Sequence, residues 1–247
     1  MNPSKETLPA TTGANSSVKA LNQTQKFRPP LKPQVMARQL CLLVLDASGS
    51  MEGAHFGGHT KADAVNEAAQ GLIKRLKISS QSANFHIGII NFDTRVIIRQ
   101  QPLAVADIDP LTPVLELSDL GHATDIGKAL EIAYEMSKAF LDNYQPGRPH
   151  HSVVIMILSD GLCHSSIVTR EVAERIKDAH QLNILKIATV LFQGAEEDEE
   201  DHEIAAASAL MQEVASVKQD GDKCFLKTSS AEALRRFLIA SSGYIQS

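Results

Sequence analysis

Three oxygen-bearing side chains directly follow an apolar run near the start of the chain. Asp46 follows residues 40–45, and Ser48 and Ser50 stand at alternate positions around Gly49. In a tight loop this alternation lets the three side chains point to a common centre, and the glycine lets the backbone fold closely around it. Carboxylate and hydroxyl oxygens suit hard cations, and the small number of acids favours Mg²⁺, with Mn²⁺ or Ca²⁺ as alternatives.

Two later segments offer further oxygen ligands. Asp160 follows the apolar run 153–158 and Ser159, and Thr124 stands just before a predicted helix that begins at Asp125. In a doubly wound sheet, ligands bind where the carboxyl ends of the strands meet and the strand order reverses. We therefore expect one metal site, in surface loops outside the core. Its predicted ligands are Asp46, Ser48, Ser50, Thr124 and Asp160.

These residues and their order resemble the von Willebrand factor A domain and its metal-ion-dependent adhesion site. The family pattern is D-x-S-x-S, then a threonine, then an aspartate at the end of a strand. The resemblance implies that Ser48, Ser50 and Thr124 bind the metal directly, while Asp46 and Asp160 act mostly through water. It also implies an open coordination position, which attracts an acidic residue of a protein partner.

Within this family, the chain is most similar to bacterial intracellular A domains of the tellurium-resistance type. The similar segments are residues 46–51, 64–68, 91–93 and 158–161. Such proteins are associated with a protein kinase and a PP2C-type phosphatase in stress or defence systems. The resemblance therefore implies a cytoplasmic, non-catalytic module that binds a protein partner through Mg²⁺.

The sequence leaves two other functions open. A substrate adaptor for an AAA+ ATPase of the MoxR or chelatase kind would use the same metal site. A metal-dependent phosphohydrolase would use Asp46 as its nucleophile, but such enzymes need a second acid two residues further on, and that position holds Ser48. The chain also lacks a glycine-rich phosphate loop with lysine, so we expect no enzyme activity.

The positions of these residues depend on the strands that carry them. Three apolar runs are continuous, which is typical of strands buried on both faces of a parallel sheet. Residues 84–92 and 95–98 are separated only by Asp93 and Thr94, which predicts a tight hairpin with an antiparallel edge strand. A short strand near residues 224–226 completes about six. The three central strands are predicted at residues 40–45, 153–158 and 187–192.

Amphipathic segments of helical period alternate with these strands. Thr60 and Asp63 resemble a capping box, and Ser229 with Glu232 resembles another helix start. The predicted fold class is α/β: a doubly wound, mainly parallel six-stranded sheet with one antiparallel edge strand and helices on both faces, a Rossmann-like arrangement. The predicted helices are residues 60–77, 125–140, 169–179, 204–217 and 232–239.

Composition divides the chain into two regions. Residues 1–37 hold five of the ten prolines and a single aromatic residue, so we expect a disordered N-terminal tail. Residues 38–247 are expected to form one von Willebrand factor A domain. Three scattered cysteines favour a reducing compartment and a cytoplasmic protein. A net charge of −5 and the absence of a long apolar run argue against nucleic-acid and membrane partners.

Several polar clusters have no assigned role. Seven of the 29 acidic residues lie in residues 196–203, which we interpret as a solvated loop at the same sheet edge as the metal. His122 and His164 are expected at that edge as well. His55 is interpreted as an ordinary loop residue, and His151 is expected at the opposite edge.

Deletion of residues 1–37 tests the division into tail and domain. Because this segment supplies almost no apolar surface, the truncated chain should keep a nearly unchanged midpoint of thermal unfolding. Circular dichroism on both chains measures this. A large drop in the midpoint would mean that the tail packs on the domain.

Overall fold

The central strand of the sheet is β1, Gln39–Asp46, and every residue in it is buried. Its side chains alternate between two cores: Leu40, Leu42 and Val44 face one, while Cys41 and Leu43 face the other. This explains why the sequence shows a continuous apolar run, since both faces of the strand are covered. The other strands are β2 (Phe85–Phe92), β3 (Val96–Ala104), β4 (Ser152–Ser159), β5 (Leu185–Phe192) and β6 (Phe225–Thr228).

The computed structural model describes residues 37–53, 59–117, 123–142, 151–161, 163–181, 184–194 and 202–243. Residues 1–36 of the predicted tail and most of the acidic segment, 196–201, lie outside these ranges, so both interpretations stay predictions. Within the described ranges, no helix combines the length and the hydropathy that a bilayer-crossing segment requires.

The six strands are arranged in the order β3-β2-β1-β4-β5-β6. All pairs are parallel except β2 with β3, which is antiparallel, so the predicted fold class is confirmed. The strand order reverses between β1 and β4, and the chain leaves these neighbouring strands at the same edge. Ligand sites in doubly wound sheets lie at such a reversal.

Helices cover both faces of the sheet. Lys61–Lys77 (α1) and Ala231–Gly243 (α5) pack on one face, and the other three helices pack on the opposite face. The predicted capping box at the start of α1 is confirmed, since the Thr60 hydroxyl accepts from Asp63 N–H and the Asp63 carboxylate accepts from Thr60 N–H. The remaining helices are α2 (Ile126–Leu141), α3 (Ser166–Ala179) and α4 (His202–Val214).

The hairpin differs from its prediction in length. Phe92 pairs with Val96, so the connection has three residues instead of two, and β3 continues to Ala104 instead of ending at residue 98. The strand was underestimated because Gln100, Gln101 and Pro102 interrupt its apolar pattern. An edge strand tolerates this, because proline there need not donate to a neighbour.

The N-cap of α5 lies one residue later than predicted. Ser230, and not Ser229, is the cap, since its hydroxyl accepts from the N–H of Ala233 at 3.2 Å. Helix α4 ends earlier than predicted, and Val217 forms an isolated bridge with Lys223 instead of a last helical turn. The sequence pattern alone did not distinguish these neighbouring positions.

A pair of serine variants tests the cap. Ser230→Ala should lower the free energy of unfolding by about 1 kcal/mol, because the first turn of α5 loses a hydrogen-bond acceptor. Ser229→Ala should change it by less than about 0.5 kcal/mol. Urea unfolding followed by circular dichroism measures both, and equal effects would contradict the assignment.

Candidate metal centre

Asp46 is the last residue of β1, and both of its carboxylate oxygens accept hydrogen bonds. Its Oδ1 accepts from the N–H of Ser48 at 2.9 Å, and its Oδ2 accepts from the hydroxyl of Ser159 at 2.6 Å. The residue is 0% exposed. Burial raises the pKa of Asp46 to about 6 in spite of the Ser159 hydrogen bond, and the nearby Asp160 carboxylate adds to the increase.

The two predicted serine ligands lie on the loop that follows. Gly49–Glu52 form one turn of 3-10 helix, in which the N–H of Met51 donates to the carbonyl of Ser48 at 3.0 Å. Met51 is fully buried and anchors this turn on the core. The turn brings the hydroxyl oxygens of Ser48 and Ser50 to 3.0 Å from each other. Ser48 is buried, and Ser50 is exposed.

Asp160 comes to the same place from the neighbouring strand β4. Strands β1 and β4 pair in parallel with Leu45 opposite Leu158, so their ends lie side by side. The Oδ1 of Asp160 accepts from the hydroxyl of Ser50 at 2.7 Å. Asp160 is 5% exposed, so its carboxylate lies beneath the surface of this edge.

Thr124 reaches this edge through backbone contacts with the loop after β4. Its N–H donates to Nδ1 of His164 at 3.3 Å, and its carbonyl accepts from the N–H of His164 at 3.0 Å. The next residue, Asp125, caps α2 and donates its N–H to the carbonyl of Asp93 at 2.9 Å. These contacts fix the start of α2 against two strand ends, and Thr124 itself is buried.

The structure therefore places the predicted residues at a strand end and on adjoining loops along one edge of the sheet. Asp46, Ser48, Ser50 and Asp160 are linked by direct hydrogen bonds or through the neighbouring Ser159. The expectation that all of them lie in surface loops is wrong, because only Ser50 is exposed. The strand ends are covered by their own loops, which bury the polar groups.

Sequence reasoning missed one member of this cluster. Lys61, the first residue of α1, is 4% exposed, and its Nζ lies 2.7 Å from Oδ2 of Asp160. A lysine is unfavourable at a helix N-terminus, where the macrodipole is positive, and lysines are almost never fully buried without a charged partner. A lysine directly after the Thr60 cap was the signal that the sequence offered. It did not identify the partner, Asp160, which lies 99 residues away.

The other polar residues fall where they were expected or outside the described residues. His164 lies at this edge, in contact with Thr124. His151 precedes β4 at the opposite edge. His55 and His122 lie outside the described ranges, so their interpretation stays a prediction.

Comparison with known families gives one match for this chain. The model of the von Willebrand factor type A domain matches residues 42–232, a range that includes all five predicted ligands. A comparison with curated protein sequences gives no significant match.

Solved structures with a similar fold include a bacterial adhesin, a pilin and a protein of unassigned function. The pilus adhesin SpaC from Lactobacillus rhamnosus GG has a TM-score of 0.59 at 14% identity, over 86% of this chain and 30% of that one. The PilB minor pilin from Streptococcus sanguinis has a TM-score of 0.62 at 15% identity, over 86% and 62%. The conserved hypothetical protein BatB from Bacteroides thetaiotaomicron has a TM-score of 0.52 at 14% identity, over 83% and 98%.

These similarities establish the fold alone, since all three identities are low. This chain also spans less than a third of the SpaC structure and less than two thirds of the PilB structure.

The hydrogen bond between Ser159 and Asp46 gives a test of this geometry. Ser159→Ala should lower the free energy of unfolding by about 1–3 kcal/mol, because the buried Oδ2 of Asp46 loses a donor. The exposed Ser80 offers a control, and Ser80→Ala should change the value by less than about 0.5 kcal/mol. Denaturant unfolding of both variants measures this, and an unaffected Ser159→Ala protein would contradict the contact.

Proposed function

The chain belongs to the von Willebrand factor type A domain family, and we propose that it is a non-catalytic, metal-dependent protein-interaction module. Domains of this family generally act in interactions between proteins. The observation that carries the proposal for this chain is the oxygen cluster at the sheet edge, where the Ser50 hydroxyl lies 3.0 Å from that of Ser48 and 2.7 Å from Oδ1 of Asp160.

The donor set fits a hard divalent cation. Hydroxyl and carboxylate oxygens are the groups that Mg²⁺ prefers, and Mn²⁺ or Ca²⁺ would accept the same set. Among the described residues, no group of three or more histidine, cysteine, aspartate or glutamate side chains is placed to hold a metal. The proposal therefore depends on the hydroxyl groups: Ser48, Ser50 and Thr124 would hold Mg²⁺ directly, and Asp46 and Asp160 would act through water.

Neutral ligands determine what such a site does. A cation held mainly by hydroxyl groups keeps most of its positive charge and attracts an outside carboxylate. Ser50 is the exposed member of the cluster, so it marks the side from which a partner would approach. We propose that an aspartate or glutamate of a protein partner binds there.

The contacts of Asp46 argue against the phosphohydrolase alternative. A nucleophilic carboxylate must reach a substrate with one oxygen, but Oδ1 and Oδ2 of Asp46 accept from Ser48 and Ser159, and the residue is fully buried. The hydrogen bonds hold this carboxylate in place as a support for the loop. This supports a binding role.

The proposed partner proteins are those that the sequence resemblance implies. We propose a bacterial stress or defence signalling system, in which the domain acts beside a protein kinase and a PP2C-type phosphatase in the cytoplasm. If the proteins recovered with this domain include an AAA+ ATPase of the MoxR or chelatase kind instead, the adaptor alternative replaces this proposal.

Titration with MgCl₂ tests the metal site without a partner. Isothermal calorimetry should show weak binding to the wild-type chain, and Ser50→Ala should lower the affinity at least about tenfold, because a direct ligand is lost. Ser80→Ala is the matched control and should bind as the wild type does. Equal affinity for the wild type and Ser50→Ala would contradict the site.

The partner complex gives a second arm of the same test. Proteins captured by the wild-type domain in Mg²⁺ should be released by EDTA. Thr124→Ala should weaken capture by a few kcal/mol, because the loss of a direct ligand leaves the charge of the partner's bridging carboxylate poorly compensated. Thr124→Ser keeps the hydroxyl, so its effect should be much smaller. A complex that survives both EDTA and Thr124→Ala would mean that another face binds the partner.

A further inference from the structure

Lys61 places a positive charge inside the proposed metal site. Its Nζ lies 2.7 Å from Oδ2 of Asp160, and the two side chains are 5% and 1% exposed. Two ions at this distance, removed from water, interact far more strongly than a pair on the surface. This contact therefore differs from the exposed ion pairs on the helices of this protein.

The loop that carries the two serines also covers Lys61. The N–H of Lys61 donates to the carbonyl of Gly53 at 3.1 Å, which joins Gly53 to the start of α1. A Cβ placed on Gly53 would lie 3.4 Å from Cε of Lys61 and 3.9 Å from its Nζ. The ammonium group thus lies under the loop, next to the oxygen cluster.

The carboxylate of Asp160 divides its two oxygens between the metal donors and the lysine. Oδ1 accepts from Ser50, whose hydroxyl lies 3.0 Å from that of Ser48, and Oδ2 accepts from Lys61. A divalent cation held by the serines would therefore lie close to a fixed positive charge. The same charge stabilises the site without metal, because it compensates a carboxylate that lies close to Asp46.

We propose that the ammonium group of Lys61 competes with the divalent metal for Asp160 and so lowers the metal affinity of the site. This inference rests on the metal-dependent function proposed above. It adds that Lys61 sets the cation concentration at which the site is occupied. In the metal-free protein, Lys61 holds the loops in place. When a cation binds, Lys61 must share Asp160 or withdraw from it.

Removal of the charge tests the competition. Lys61→Met keeps most of the side-chain volume, and its affinity for Mg²⁺ and Mn²⁺ in calorimetric titrations should exceed that of the wild type at least about tenfold, since a charge repulsion at short range disappears. Lys74→Met removes the same charge from an exposed position of α1 and should change the affinity less than about twofold.

The thermal midpoint supplies a readout that does not depend on binding heats. In EDTA, Lys61→Met should unfold at a lower temperature than the wild type, because Asp160 is left buried without its counter-ion. Mg²⁺ should raise the midpoint of the variant more than that of the wild type. If Lys61→Met does not fold, Lys61→Gln replaces it, since the amide keeps a donor for Asp160 without the charge.

The Ser50→Ala substitution separates the failure of this inference from that of the proposed function. Competition predicts that Lys61→Met gains affinity and that adding Ser50→Ala removes the gain. Wild-type binding that depends on Ser50, with no gain in Lys61→Met, would overturn the competition and leave the metal site standing. If Ser50→Ala does not weaken Mg²⁺ binding in either the wild type or Lys61→Met, both the competition and the proposed metal site would be overturned.

Discussion

The carboxylate of Asp160 holds together the edge of the sheet at which the proposed metal site lies. One oxygen accepts from Ser50 on the loop after β1, and the other accepts from Lys61 at the start of α1. A single side chain at the end of β4 therefore joins a strand, a loop and a helix. Because removal of one partner from a buried ion pair costs about 3–5 kcal/mol, these contacts constrain every group around them.

The charges at this edge are compatible with a stable fold and with the proposed binding of a cation. The neighbouring carboxylate, Asp46, is held by Ser48 and Ser159, whose donors are uncharged. Lys61 supplies the positive charge beside Asp160. The cluster is thus compensated enough to persist beneath the surface, yet Ser50 and Ser48 keep hydroxyl oxygens that face the proposed cation site.

The sequence predicted most of the fold and much of this edge. Strands β1 and β4 were predictable because they are buried on both faces, and parallel strands bring Asp46 and Asp160 to one edge. The contact of Lys61 was not predictable, since it joins residues 99 positions apart through side chains that only tertiary packing brings together. The length of β3 was missed because polar residues interrupt the pattern of a half-exposed edge strand.

The location of a bound cation would show whether this edge of the sheet holds a metal. Crystals of the full chain grown with Mn²⁺ can be measured at a wavelength at which manganese scatters anomalously. We expect one anomalous peak in contact with Ser48, Ser50 and Thr124, with the ammonium group of Lys61 sharing Asp160 with the cation or displaced from it. A peak at another position, or no peak at saturating Mn²⁺, would contradict it.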